Sequence, residues 1–226
     1  MPHWLQLMVD SLVPLLWAGL VFTIPLTILS FTFGLTLGLV TAIGRLFGAK
    51  PVAAIARFYV WVIRGTPLLV QLFVIFYGLP SIGILLDAFP AALIGFTLNI
   101  GAYSSEIIRA VISSVPKGQW EAAYSIGMSW RQAMLRTILP QAARVAVPPL
   151  SNTFISLVKD TSLAAAITVP ELFQAAQRIV ATTYEPLILY IEAALIYLAL
   201  CSVLSTVQVR LERRFARYGG MMESNA

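Results

Sequence analysis

Residues 11–44 read SLVPLLWAGLVFTIPLTILSFTFGLTLGLVTAIG, without one charged side chain. A helix needs about 20 mostly apolar residues to cross the hydrocarbon core of a bilayer. This run therefore predicts one long or tilted span, placed at 15–43. It is too long for the apolar part of a cleavable signal peptide, Asp10 precedes it, and no Lys or Arg lies before it. The rest of the chain agrees with a membrane setting. Of its 226 residues 59% are hydrophobic and 11% charged, and mean hydropathy is +0.85. A soluble domain carries roughly 25% charged residues. One Cys (Cys201) and one His (His3) exclude a disulfide framework and leave no set for Cys- or His-based metal or triad chemistry.

Working outward, four further apolar stretches predict spans at 55–79, 89–113, 147–169 and 186–209. Arg64 interrupts the second, Glu106 and Arg109 lie in the last turns of the third, Lys159 and Asp160 lie within the fourth, and Glu192 falls near the start of the fifth. The expected fold is an all-α polytopic membrane protein with five transmembrane helices, one transmembrane domain over 1–226. Twelve of the fifteen Lys and Arg residues fall on one side of this arrangement. By the positive-inside rule that side is cytoplasmic, so the N-terminus is outside and the C-terminus inside. Topology thus accounts for the net charge of +5, and a nucleic-acid partner is not expected. The outer loops, Pro80–Ala88 and Pro170–Glu185, are too short to form a receptor domain.

The longest stretch between spans is cytoplasmic, 115–146. Helix formers run from Gln119 to Ile126, and Gly127 supplies the left-handed residue that closes a helix. Ser129 can cap a second helix running toward Leu139, where Pro140 is expected to stop it. Two short helices carrying Trp120, Ile126, Met128, Trp130 and Met134 make a compact knob, suited to docking or to a plain connection.

Glu121, Ala122 and Ala123, then Gly127, then Leu139 and Pro140, resemble the EAA loop of ATP-binding-cassette importer permeases. Thr137 departs from the Ile or Val usual two positions before that Leu. Arg64-Gly65-Thr66-Pro67-Leu68, Leu98-Asn99 with Ala102-Tyr103 and Glu106, Gly118-Gln119, and Lys159-Asp160-Thr161-Ser162-Leu163 resemble the polar-amino-acid subfamily. The likeness runs over about 10–215, and Pro148–Leu172 is especially similar to bacterial cystine permeases. The resemblance implies a type I importer fold in the bacterial inner membrane and a second permease subunit, either another copy or a paralogue. It implies an ATPase dimer that binds ATP and Mg in place of this chain, and an extracytoplasmic amino-acid-binding protein. Gly118, Gln119, Glu121, Ala122, Ala123, Gly127, Leu139 and Pro140 would then couple to the ATPase rather than catalyse.

Polar groups inside spans are costly and mark pathways or packing. Asn99, Tyr103 and Glu106 follow at i, i+4 and i+7 on one helix face, although Glu106 can also pair with Arg109 at i+3. On the fourth span Asn152, Ser156 and Asp160 share a face, with Thr153 beside them. Lys159 and Asp160 point about 100° apart and require partners elsewhere, as substrate contacts or as an intersubunit or gating pair. Arg64 with Thr66 and Pro67 marks a break whose freed backbone could line the pathway, unless Arg64 snorkels to the interface.

With Lys159 opposing Asp160 and Arg109 opposing Glu106, the pathway predicts an uncharged polar substrate. Thr153 stands where some relatives resembling basic-amino-acid permeases carry an acid. The resemblance narrows the expectation to L-cystine or a related sulfur amino acid, with glutamine as the alternative. Gly44–Lys50 has the wrong spacing for a phosphate loop, with Pro51 in place of the Ser or Thr. Gly34 and Gly38 fit G-x-x-x-G helix packing and could serve a partner surface. A stand-alone secondary transporter or channel is the rival class; no visible internal repeat supports it.

Overall fold

The computed structural model describes residues 2–223, which form eight helices and no strand. They are α1 (His3–Phe47), α2 (Lys50–Gly65), α3 (Leu68–Ile82), α4 (Ala88–Ser114), α5 (Lys117–Ser125), α6 (130–160), α7 (Leu172–Thr183) and α8 (Pro186–Glu223). A 3-10 segment, Thr161–Ile167, continues from α6.

Three of these helices, α1, α4 and α8, are long and apolar enough to cross a membrane singly. α2 and α3 pass the same test only when taken together, as a broken span or a re-entrant loop bent by 106° at their junction. The five-span expectation is therefore met only in part. α6 fails on composition, because Pro148, Pro149, Asn152, Lys159 and Asp160 dilute the stretch read as the fourth span. α1 is longer than expected, 45 residues or about 67 Å at 1.5 Å per residue.

Prolines explain how such long helices persist. Three π-helical turns occur, at Gly19–Thr23, Val74–Gly78 and Met134–Ile138. Each ends two residues before a proline: Pro25, Pro80 and Pro140. A proline leaves the carbonyl four residues earlier without its donor and presses its ring against it. Those carbonyls, of Val21, Phe76 and Arg136, all lie inside the widened turns, which absorb the clash. This corrects the expectation that Pro140 stops the second loop helix. The chain passes through it and remains helical to Asp160.

α4 is the central post. Leu26, Leu72, Ala91, Ala92, Phe96, Ile100, Leu157 and Ile167 form one buried cluster around it. Where α1 crosses α4, Gly34 and Gly38 remove the side chains that would keep the helices apart. A Cβ on Gly38 would stand 2.8 Å from Ser104 Cβ, and one on Gly34 2.6 Å from Ile100 Cγ2. The G-x-x-x-G pattern is thus consumed inside the chain and is not left for a partner.

The segment read as the outer loop 170–185 contains α7, folded back against α1 and α8. Glu171 caps it, accepting from Gln174 N at 2.7 Å. Its carboxylate is fully buried and also accepts from Tyr197 Oη at 2.6 Å and Thr23 Oγ1 at 3.5 Å. Leu172 N donates in turn to Thr23 Oγ1 at 3.2 Å. The π-helical turn in α1 thereby docks onto the start of α7. A second tie joins Ser11 of α1 to Glu192 of α8, Oγ to Oε2 at 2.5 Å.

Candidate translocation cleft and docking loop

A cleft of about 570 Å³ opens between the α2–α3 break, α4 and α6. The break is held open by an amide the sequence reading passed over. Gln71 Nε2 donates to Ile63 O (2.7 Å), Thr66 O (3.1 Å) and Thr66 Oγ1 (2.9 Å). Thr66 Oγ1 meanwhile donates to Val62 O at 2.9 Å. The carbonyls of Val62, Ile63 and Thr66 at the break thus have side-chain donors, as backbone at membrane depth would require. Gln71 Oε1 accepts from Asn99 Nδ2 at 3.3 Å, linking the break to the polar face of α4.

Eight of the nine residues proposed for the pathway line this one cleft: Arg64, Thr66, Asn99, Tyr103, Asn152, Thr153, Ser156 and Asp160. Asn152 Oδ1 accepts from Gln208 of α8 at 3.0 Å, and Thr153 Oγ1 donates back to Pro149 O at 2.9 Å. Lys159 is the exception. It lines a separate cleft with Phe173, Tyr190, Tyr197 and Cys201. Adjacent residues on a helix diverge by about 100°, and here the divergence carries the two charges into different cavities. Lys159 therefore offsets Asp160 only as a neighbouring charge and offers no ammonium to this cleft.

Glu106 accepts from more than its neighbour Arg109. Its Oε2 takes Arg109 Nε and Nη2 at 3.1 and 3.0 Å, and its Oε1 takes Arg45 Nη1 at 2.5 Å. Arg64 Nη1 stands 3.7 Å from Oε1, an ion pair without a hydrogen bond. The Arg64 guanidinium lies 5.2 Å from the centroid of the Tyr103 ring, within cation–π range. With Glu106 neutralised by two guanidiniums, the charges left facing the cleft are Arg64 and Asp160, one of each sign.

The knob has its own geometry. α5 ends in a Schellman motif: Met128 N donates to Ala123 O (3.1 Å) and Gly127 N to Tyr124 O (2.9 Å), with Gly127 at φ 80°. No atom lies within 4 Å of a Cβ built on Gly127, so backbone conformation and not space demands glycine there. Ser129 and Gln132 form a reciprocal capping box at the start of α6. Gln119 accepts from Gln141 Nε2 at 2.9 Å, and Phe47 packs edge-on against Trp130 at 5.0 Å. Ala123 is buried and Leu139 half-buried. Gly118, Gln119, Glu121, Ala122, Gly127 and Pro140 stay exposed, beside Tyr124 and Ile126. The knob thus presents one carboxylate, Glu121, among the exposed large apolar side chains Tyr124, Ile126, Trp130 and Leu135.

Comparisons with known proteins agree with this architecture. The family described as "Binding-protein-dependent transport system inner membrane component" matches residues 34–217. The chain is 57% identical over 214 residues to the "L-cystine transport system permease protein TcyB" of Bacillus subtilis, covering 94% of this chain and 92% of that protein. It is 38% identical over 204 residues to the "Glutamine transport system permease protein GlnP" of Escherichia coli, covering 89% and 93%. A crystal structure of "an amino acid ABC transporter with histidines" superposes with a TM-score of 0.88 at 37% identity, covering 95% of this chain and 99% of that one.

Proposed function

Since the chain belongs to the family of binding-protein-dependent transport system inner membrane components, we propose that it is the permease of an amino-acid ABC importer whose substrate is L-cystine or a related uncharged sulfur amino acid. It forms the pathway and couples it to a separate ATPase that binds ATP and Mg, and it hydrolyses no nucleotide itself. An extracytoplasmic binding protein delivers the substrate, and a second permease subunit completes the membrane unit. Five crossings are reached when the bent pair α2–α3 counts as one span and α6 with its 3-10 continuation as another. The basic side is then cytoplasmic and the knob faces the ATPase, where Glu121 orients it by polar contacts and Gly127 sustains the turn.

The observation that carries the substrate reading is the charge balance of the cleft. One cation, Arg64, and one carboxylate, Asp160, remain among amides and hydroxyls. That set complements a zwitterion whose side chain has no net charge. A cationic side chain calls for a second unspent carboxylate, and Thr153 stands in the wall without one. Similarity to the cystine permease favours cystine over glutamine.

Substrate-stimulated ATPase of the purified complex tests this with Thr153→Glu. The wild type should respond to L-cystine and not to arginine, and the added carboxylate should lower the cystine response and admit the cation. A wild type that prefers arginine contradicts the neutral-substrate reading; unchanged selectivity in Thr153→Glu removes Thr153 from the site.

A further inference from the structure

The cluster around Glu106 holds three guanidiniums and one carboxylate, and the three are not equivalent. Arg45 is mostly buried, with 14% of its side chain exposed, and Arg109 makes two hydrogen bonds to one oxygen. Arg64 makes no hydrogen bond among the described residues, keeps 43% of its side chain exposed, and lines the cleft wall. Its remaining contacts are the loose ion pair to Glu106 and the face of Tyr103. If Arg64 turns to a ligand, Glu106 retains Arg45 and Arg109, so no buried charge loses its partner. A guanidinium offers five donors in a planar fork that matches a carboxylate bidentately. Tyr103 holds that fork in place without occupying any donor.

We propose that Arg64, stacked on Tyr103 and backed by the Arg45–Glu106–Arg109 cluster, is a carboxylate-binding station at the basic, cytoplasmic end of the cleft that takes the substrate's α-carboxylate during its passage to the cytosol. The assignment rests on the amino-acid permease reading above and on its orientation. Asp160, elsewhere in the same cleft, receives the ammonium group. Arg64 and the cluster behind it together carry an excess of two positive charges when all four groups are ionised, so an arriving anion is attracted before it is bound.

The test is competition binding to the complete permease–ATPase complex in nanodiscs, comparing L-cystine with its dimethyl ester. The wild type should bind cystine roughly tenfold or more tightly than the ester, the scale of one charge-assisted hydrogen-bonded pair. Arg64→Gln should weaken cystine to the level of the ester, while Arg64→Lys restores part of the preference. General damage to the fold would weaken both ligands alike and leave their ratio intact. Equal binding of the two in the wild type, or an undiminished ratio in Arg64→Gln, overturns the proposal. So does a ratio that emerges only when phosphatidylglycerol is omitted, which assigns Arg64 in the membrane to a lipid phosphate. If the complex takes a different amino acid, the cystine reading falls separately, and that amino acid with its methyl ester tests Arg64 in the same way.

Discussion

Glu106 shows how a single residue changes meaning between sequence and structure. Its period with Asn99 and Tyr103, and its reach to Arg109, are properties of one helix and are legible from spacing. Arg45 is 61 positions away and Gln71 is 28 from Asn99; no local periodicity relates them. We predict that Glu106→Leu lowers stability by about 1–3 kcal/mol, less than for a fully buried pair because Glu106 keeps 22% of its side chain exposed, since it strands Arg45. Arg45→Met combined with Glu106→Leu should recover part of that loss. Thermal midpoints of the purified complex report both, and full additivity of the two substitutions would contradict the pairing. Gln71→Leu should leave the half-buried carbonyl of Ile63 and the exposed one of Thr66 without this donor, at a cost of about 1 kcal/mol, the low end for an unsatisfied group. It should also reduce uptake by splaying the break away from Asn99. Wild-type uptake with an unchanged midpoint would show that the break needs no internal capping.

At the scale of elements, the caps were readable and the continuations were not. Gly127 and Ser129 announce a turn through backbone and side-chain chemistry confined to a few residues. Pro140 announces a stop by the same local logic, yet the π-helical turn before it and the packing of Met134 and Ile138 carry the helix through. α7 was hidden for a related reason: its cap, Glu171, becomes intelligible only beside Thr23 and Tyr197. Gly127→Val should abolish ATP-driven uptake, whereas Gly127→Asn should retain much of it, since Asn tolerates the left-handed region. Copurification of the ATPase with each variant is the measurement, and equal recovery with both would mean that the turn does not position the docking surface. In α1, Gly38→Leu has nowhere to place its side chain against Ser104 and the Gly101 carbonyl. It should destabilise by at least the 1–3 kcal/mol typical of overpacking, read as reduced folded protein in detergent. A fully folded variant would place the α1–α4 crossing elsewhere.

For the whole molecule, composition was enough to set it in a membrane, because it is a sum over the chain; the charge asymmetry supplies the expected orientation. The number of crossings was less legible. The same polar groups that build the cleft remove α6 from any count based on apolarity. Placement of Lys159 outside the cleft was also beyond the sequence, which gives the angle between neighbouring side chains but not what surrounds them. The arrangement as a whole is that of an importer's permease subunit, with a polar cleft and a knob exposing Glu121. The most direct measurement is uptake of labelled L-cystine into proteoliposomes containing this chain, with and without its ATPase and binding protein. Concentrative uptake should appear only when ATP and both partners are present and should not respond to an imposed ion gradient. Gradient-driven concentrative uptake by this chain alone would contradict the account and identify a secondary transporter.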